Sequence, residues 1–346
     1  MTDNTELYFA RLTAAPKKCA APAGDRAELK KWQKRARPIL RRILAISGKA
    51  ETAVPELLGR EELSDHVREL WRIQTEPEVF MPFYLLIPKG KGPFPAAIAV
   101  HGHGFGAKDG VAGVWENPLI RESAREYNAG FGLELVRKGF LTAVPDVRGF
   151  GSRREKGHTG DACVLENSCP ELMHLATGLG KTLPGMFVTD LIRLADFLTE
   201  NPNAVRGKIS CVGLSGGGFQ TLLFAALDKR VKNCVVSGYF YGAKRALYDM
   251  PQCACNYAPG LWQHFDMRDL AGLIAPRGLF VETGEKDPLN GGLDNALAEG
   301  NAARDLYDRM GVPEKFRQEV YEGGHRFYGV HSLDWLTGEN LTEEHR

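Results

Sequence analysis

The stretch Gly213-Leu214-Ser215-Gly216-Gly217 constrains this chain more than any other. An apolar, β-like run at 208–214 leads into it, and residues 216–227 after it pattern as a helix. A serine on so sharp a strand-to-helix turn needs neighbours without Cβ atoms, because side chains there collide with the strand and the following helix. The turn also sets the hydroxyl beside a helix N-terminus, where free N–H groups favour developing negative charge. The bland alternative is a glycine-rich turn whose serine only caps the helix.

The rest of the chain supplies the fold that such a turn requires. Residues 70–74 and 83–88 read as paired strands around a turn near Glu76-Pro77. The runs 96–100, 139–144, 208–214, 231–236, 277–283 and 316–321 read as buried strands, with helical spacing at 185–200, 216–227 and 295–310. Strands alternating with helices predict a mostly parallel central sheet with helices on both faces, and functional groups in loops at the carboxyl ends of the strands. Residues 1–64 are expected to form an N-terminal helical extension and 65–346 one catalytic domain. Three stretches exceed a minimal sheet, near 105–128, 153–182 and 240–269, and insertions of this kind wall or cover a site.

A serine hydroxyl becomes a nucleophile when a base takes its proton. In the strand order above, the acid and then the histidine follow the serine. His325, in Glu322-Gly323-Gly324-His325, comes directly after the last strand; His264 and His331 are simpler as packing or surface histidines. Asp287 follows the strand before it, with Glu282, Glu285 and Asp294 as alternatives. The expected catalytic set is therefore Ser215, Asp287 and His325. Oxyanion donors are expected from the backbone N–H groups of Gly216 and of His103, in His101-Gly102-His103-Gly104. Tyr257 and Trp262 are candidates for a substrate pocket. Asp146 and Arg148 could bind a substrate carboxylate, although an ion pair that shapes their loop is the simpler reading.

These pieces together resemble the dienelactone hydrolase and acetyl xylan esterase-like branch of the α/β-hydrolases, over residues 65–330. The resemblance rests on His101-Gly102-His103-Gly104, Asp146-Val147-Arg148-Gly149-Phe150-Gly151, the Ser215 turn, Cys255-Asn256-Tyr257-Ala258-Pro259-Gly260, Ile274-Ala275-Pro276-Arg277, Gly284-Glu285-Lys286-Asp287-Pro288 and Gly324-His325. It implies an α/β-hydrolase fold, a Ser215–Asp287–His325 triad and hydrolysis of carboxylic esters. Dienelactone hydrolases in the strict sense use a cysteine where this chain has Ser215, which moves the expectation towards a serine esterase. Another bond cleaved on the same fold, by a peptidase or a C–C hydrolase, and a non-catalytic ligand binder are the competing readings.

Charge and composition exclude several classes. Lys+Arg (44) nearly cancels Asp+Glu (43), so no global field gathers nucleic acid or anionic membrane, despite a basic helical stretch at 28–46 with Pro38 inside it. That stretch reads as a solvated helix packed on the catalytic domain, with Pro38 starting a second helix or kinking the first. No apolar run approaches the roughly 20 residues that span a bilayer, and the first ten residues do not read as a secretory signal. The seven cysteines show no disulfide framework, which fits reduced thiols and a cytoplasmic setting. Cys253 with Cys255, or Cys163 with Cys169, lack C-x-x-C pairing and matching histidine spacing, so they read as ordinary thiols, with no metal and no cofactor expected. Gly180-Lys181-Thr182 is not a phosphate loop, because Leu175 stands where the first glycine is required. The expected partner is a small-molecule ester; self-association stays open.

Overall fold

The computed structural model describes residues 4–46, 54–158 and 160–341, so the first three residues and 47–53 of the N-terminal extension lie outside the described residues. Among the described residues, nine strands form one sheet: β1 (Glu56–Glu62), β2 (His66–Glu76), β3 (Val79–Pro88), β4 (Phe94–Val100), β5 (Leu141–Pro145), β6 (Ala204–Leu214), β7 (Val231–Ser237), β8 (Gly278–Gly284) and β9 (Phe316–Tyr321). Their spatial order is β1-β2-β3-β5-β4-β6-β7-β8-β9. The pairs β1–β2, β2–β3 and β3–β5 are antiparallel, and every later pair is parallel. This is the mostly parallel sheet that the alternating pattern predicts.

The central strands are buried on both faces, which is why they read as continuous apolar runs. In β4, Ala96, Ile98 and Val100 join the apolar layer on one side of the sheet, and Ala97 and Ala99 the layer on the other. In β6, Ile209 and Cys211 divide from Val212 and Leu214 in the same way. The chain leaves β4 to build β5 on one side, then returns to place β6 on the other. That reversal opens a crevice beyond the carboxyl ends of β4 and β6, where open α/β sheets bind ligands.

The extension differs from the expectation in one respect: besides helices Thr5–Ala14 and Arg26–Ile43 it contains β1. Every residue of β1 is exposed. It is held to β2 by its ladder and by cross-strand ion pairs of Arg60 with Glu69, Glu61 with Arg68 and Glu56 with Arg72. Charged side chains of this kind also discourage an edge strand from pairing with another molecule.

Helix Arg26–Ile43 runs through Pro38 without a break and sets Leu29, Trp32, Ala36 and Leu40 into the core. Its polar side chains are partly spent on the protein itself. Arg37 donates to the Ala226 and Leu273 carbonyls near the ends of two helices, and Gln33 to those of Gly272 and Ala275. A cation at a helix C-terminus is favoured by the helix dipole. Among the described residues, no helix is long and apolar enough to cross a membrane.

Candidate active site

Ser215 follows the last residue of β6 and precedes helix Gly216–Leu227, with φ 58° and ψ −127°. A non-glycine residue held in that region carries strain of order 1–3 kcal/mol, which persists only where its surroundings enforce it. The enforcement is visible. The Ser215 N–H donates to the Ser237 carbonyl at 2.8 Å, and a Cβ on Gly217 or Gly213 would strike the Val100 or Gly217 carbonyl. The Ser215 side chain makes no capping hydrogen bond to its helix. The reading of this serine as a simple helix cap therefore fails.

Asp287 and His325 stand where the strand order predicts. Asp287 lies three residues past β8, and His325 four residues past β9. His325 Nδ1 is 2.7 Å from Asp287 Oδ2, and Asp287 Oδ1 accepts the Leu289 N–H at 2.9 Å. The imidazole crosses Gly238, which follows β7 with φ +62°; a Cβ there would come within 3.0 Å of His325 Cε1. His325 Nε2 is buried without a protein hydrogen-bond partner.

The other candidate acids have different work. Glu282 is buried and accepts the N–H groups of Tyr328 and Gly329 and the Ser332 hydroxyl, which ties down the chain after His325. Asp294 pairs with Arg245, and Glu285 with Lys286. Of the rival histidines, His264 bonds the Gly260 carbonyl and His331 pairs with Glu319 on the surface.

Ser215, Gly216, His103 and His325 line one cleft of about 290 Å³, together with Tyr127, Tyr239, Tyr241, Gln252, Cys253, Asn256 and Leu289. Gly216 opens its helix, so its N–H has no intrahelical acceptor and is free to serve a ligand. The His103 ring lies against Gly216 and meets Phe150 edge-on at 4.9 Å between centroids. Two larger hollows, of about 560 and 620 Å³, lie beside 13–23 and beside 327–334, and neither contains a serine next to a histidine.

Four side chains singled out in the sequence sit away from the cleft wall. Arg148 is buried with its guanidinium on Asp190 and Glu76, and Arg153 reaches the same Asp190. The Asp190 carboxyl is pulled down to about 2: burial raises it, but the Arg153 and Arg148 charges outweigh that. Asp146 is fully buried on Lys108 and Ser152. Asp146 and Arg148 thus shape their loop through separate partners, and Arg148 is not among the residues that line the cleft. Trp262 is core, tilted on Phe219 with its indole N–H on the Asn256 carbonyl. The Tyr257 hydroxyl is spent on the Leu247 carbonyl and the Gln252 N–H. The aromatic residues on the wall are Tyr239 and Tyr241, just past β7, and Tyr127 from the 105–128 insertion. Position directly after a strand was the available signal for the first two.

His101 is fully buried one residue past β4, and its two ring nitrogens have opposite roles. Nε2 accepts the Val147 N–H at 3.0 Å, so the proton belongs on Nδ1, facing the Gly102 carbonyl at 2.9 Å. A second proton would set Nε2–H against Val147 N–H. Burial, only partly offset by the Asp146 charge, lowers the His101 pKa to about 4. The folded value thus lies below the unfolded one of about 6.5. As pH falls from about 6.5 to 4, the unfolded chain takes a proton that the folded chain refuses, and stability on the order of 3 kcal/mol is lost. Urea unfolding of the wild type is therefore expected to weaken across this window. In His101→Gln, whose amide can make both hydrogen bonds without titrating, the slope should flatten. Identical slopes in the two proteins would refute this role.

Three of the seven cysteines come together. Cys169, Cys253 and Cys255 converge with His103, their ligand atoms all within 4.8 Å of one another. Sequence spacing concealed the group, because its members come from three separate segments.

Comparison with known proteins agrees with this architecture. Residues 11–326 match the model of the Abhydrolase family. The chain belongs to the Abhydrolase family. This abhydrolase is 27% identical to "Putative hydrolase YtaP" of Bacillus subtilis (strain 168) over 276 residues, 78% of this chain and 86% of that one. Its fold is similar to that of a "putative acetyl xylan esterase" from Bacteroides fragilis NCTC 9343, with TM-score 0.78, 19% identity and coverage of 93% of this chain and 83% of that one. A glucuronoyl esterase from Solibacter usitatus has TM-score 0.63 at 17% identity, covering 93% and 96%. The α/β-hydrolase fold expected from the sequence is the fold of this abhydrolase.

Proposed function

We propose that this abhydrolase cleaves carboxylic esters with small acyl groups through Ser215, His325 and Asp287. The observation that carries the reading is the hydrogen bond from His325 to Asp287, with Nε2 left unpaired in the cleft that Ser215 lines. Nε2 takes the Ser215 proton as Oγ attacks the ester carbonyl, and Asp287 stabilises the imidazolium without taking the proton itself. The Gly216 and His103 N–H groups hold the oxyanion. Collapse of the tetrahedral intermediate breaks the C–O bond, and the imidazolium protonates the departing alcohol. Water, deprotonated by His325, then frees the acid from Ser215.

The size of the cleft supports a short acyl chain, at the small end of ligand pockets. Gln252 and Asn256 on its wall, the latter accepting from the Tyr239 hydroxyl at 2.6 Å, suit a polar alcohol. The esterase neighbours support the choice of an ester bond.

A fluorophosphonate probe should label Ser215, and p-nitrophenyl acetate should be turned over at least tenfold faster than the octanoate. An unlabelled, folded protein would refute a serine mechanism. A labelled protein that cleaves peptides and no ester would refute the choice of bond.

A further inference from the structure

We infer that His103, Cys169, Cys253 and Cys255 form a binding site for a single zinc ion, which fastens two insertions to the oxyanion loop. The donors are brought together from three places. His103 lies in the loop after β4, Cys169 begins helix Cys169–Gly178 in the 153–182 insertion, and Cys253 and Cys255 belong to the 240–269 insertion. Residues up to 152 positions apart have no reason of local structure to converge, yet all four ligand atoms lie within 4.8 Å of one another.

The spacing suits a tetrahedral ion. With Zn–S near 2.3 Å and Zn–N near 2.0 Å, neighbouring ligand atoms stand roughly 3.5–3.8 Å apart. His103 Nε2 is 3.3 Å from Cys255 Sγ and 4.0 Å from Cys169 Sγ, so small adjustments close the shell. Three thiols and an imidazole form a soft donor set that selects zinc over magnesium or calcium. A neighbouring amide supports it from outside: Asn256 Nδ2 donates towards Cys255 Sγ at 3.9 Å.

Packing alone does not account for the group. Cys211 and Cys234 show what packing cysteines look like here: each is buried within a strand, one beside the Thr221 hydroxyl and the other on the Gly278 carbonyl. A disulfide would use two of the three thiols and leave the third, with His103, unexplained. An ion uses all four. Four protein ligands make a closed site, structural in kind, with no position left for substrate. Its consequence for the reaction is mechanical. The ring of His103 is held from the side away from Gly216, and the same residue supplies the proposed oxyanion N–H. The 153–182 and 240–269 insertions, rich in short turns, gain a rigid joint at the wall of the cleft.

The test is independent of any ester assay. Wild-type protein purified without chelator should carry one zinc per chain by elemental analysis, and Cys255→Ser and Cys169→Ser should each lose most of it. Stripped wild type titrated with cobalt(II) should develop thiolate charge-transfer absorption and the visible bands of a tetrahedral ion, saturating at one equivalent. Alkylation mapping should find Cys169, Cys253 and Cys255 protected until a chelator is added. Zinc retained by both folded variants would overturn the site, as would a stripped wild type that gives no charge-transfer band. A disulfide between two of the three cysteines in protein purified without reductant would also overturn it. The cobalt titration uses wild type, so a variant that fails to fold does not shelter the proposal.

Discussion

Ser215→Ala should lower kcat for p-nitrophenyl acetate by about five to six orders of magnitude while leaving the fold intact. The size follows from the role proposed for the hydroxyl: without it there is no acyl-enzyme, and only the oxyanion donors and substrate binding still accelerate attack by water. The specificity of the loss follows from the local structure. Ser215 Oγ makes no capping hydrogen bond, so its removal leaves no orphaned helix donor. The backbone at φ 58° is held by the Ser237 carbonyl and by the close packing of Gly213 and Gly217, and alanine meets that strain as serine does. Thermal stability should therefore change by no more than about 0.5 kcal/mol. Steady-state kinetics beside a thermal melt reads both numbers. A folded variant that keeps more than a hundredth of wild-type kcat would remove Ser215 from the mechanism.

What could be read from the sequence, and what could not, divides along a physical line. β4, β6, β7 and β8 were legible because strands buried on both faces must be apolar throughout, and with β9 after them their order placed Asp287 and His325 at successive strand ends. β1 was not legible. Its residues Glu56–Glu62 bury nothing, and pairing with β2 and cross-strand charges hold them as a strand, neither of which leaves an apolar pattern. The cleft wall was legible only in outline. Insertions were expected to cover the site, but which aromatic residues reach the wall is set by long-range packing. The Tyr257 hydroxyl is tied to the Leu247 carbonyl, whereas Tyr239 lines the cleft with its hydroxyl on Asn256.

The cysteine group lay beyond sequence for a related reason. A zinc finger announces itself because paired ligands lie on one short loop. Here only Cys253 and Cys255 are near neighbours, and the third thiol and the imidazole arrive through tertiary contacts. The same holds for Arg148, whose role was settled by Asp190, 42 positions away. Long-range pairing decides such cases, and it decided them towards structure for Arg148 and towards a site for Cys169.

Asp287→Asn should cost about four orders of magnitude in kcat with little change in KM, the second largest effect expected here. The argument turns on the Leu289 N–H. In the wild type both carboxylate oxygens accept: Oδ1 from Leu289 N–H and Oδ2 from His325 Nδ1–H. An asparagine has one acceptor and one donor to divide between the same two partners. The peptide N–H of Leu289 cannot reverse its role, whereas the imidazole can move its proton. The side-chain oxygen therefore stays with Leu289 and the NH₂ turns to His325 Nδ1, which must then accept. That tautomer carries its proton on Nε2, in the cleft that Ser215 lines, and cannot take another. The base is lost although every heavy atom keeps its place. The hydrogen-bond count is preserved, so the variant should melt within a few degrees of wild type. Fluorophosphonate labelling of Ser215 should slow in parallel with turnover, because both reactions need the same deprotonation. A loss of less than tenfold in the folded variant would show that Asp287 does not set the tautomer of His325.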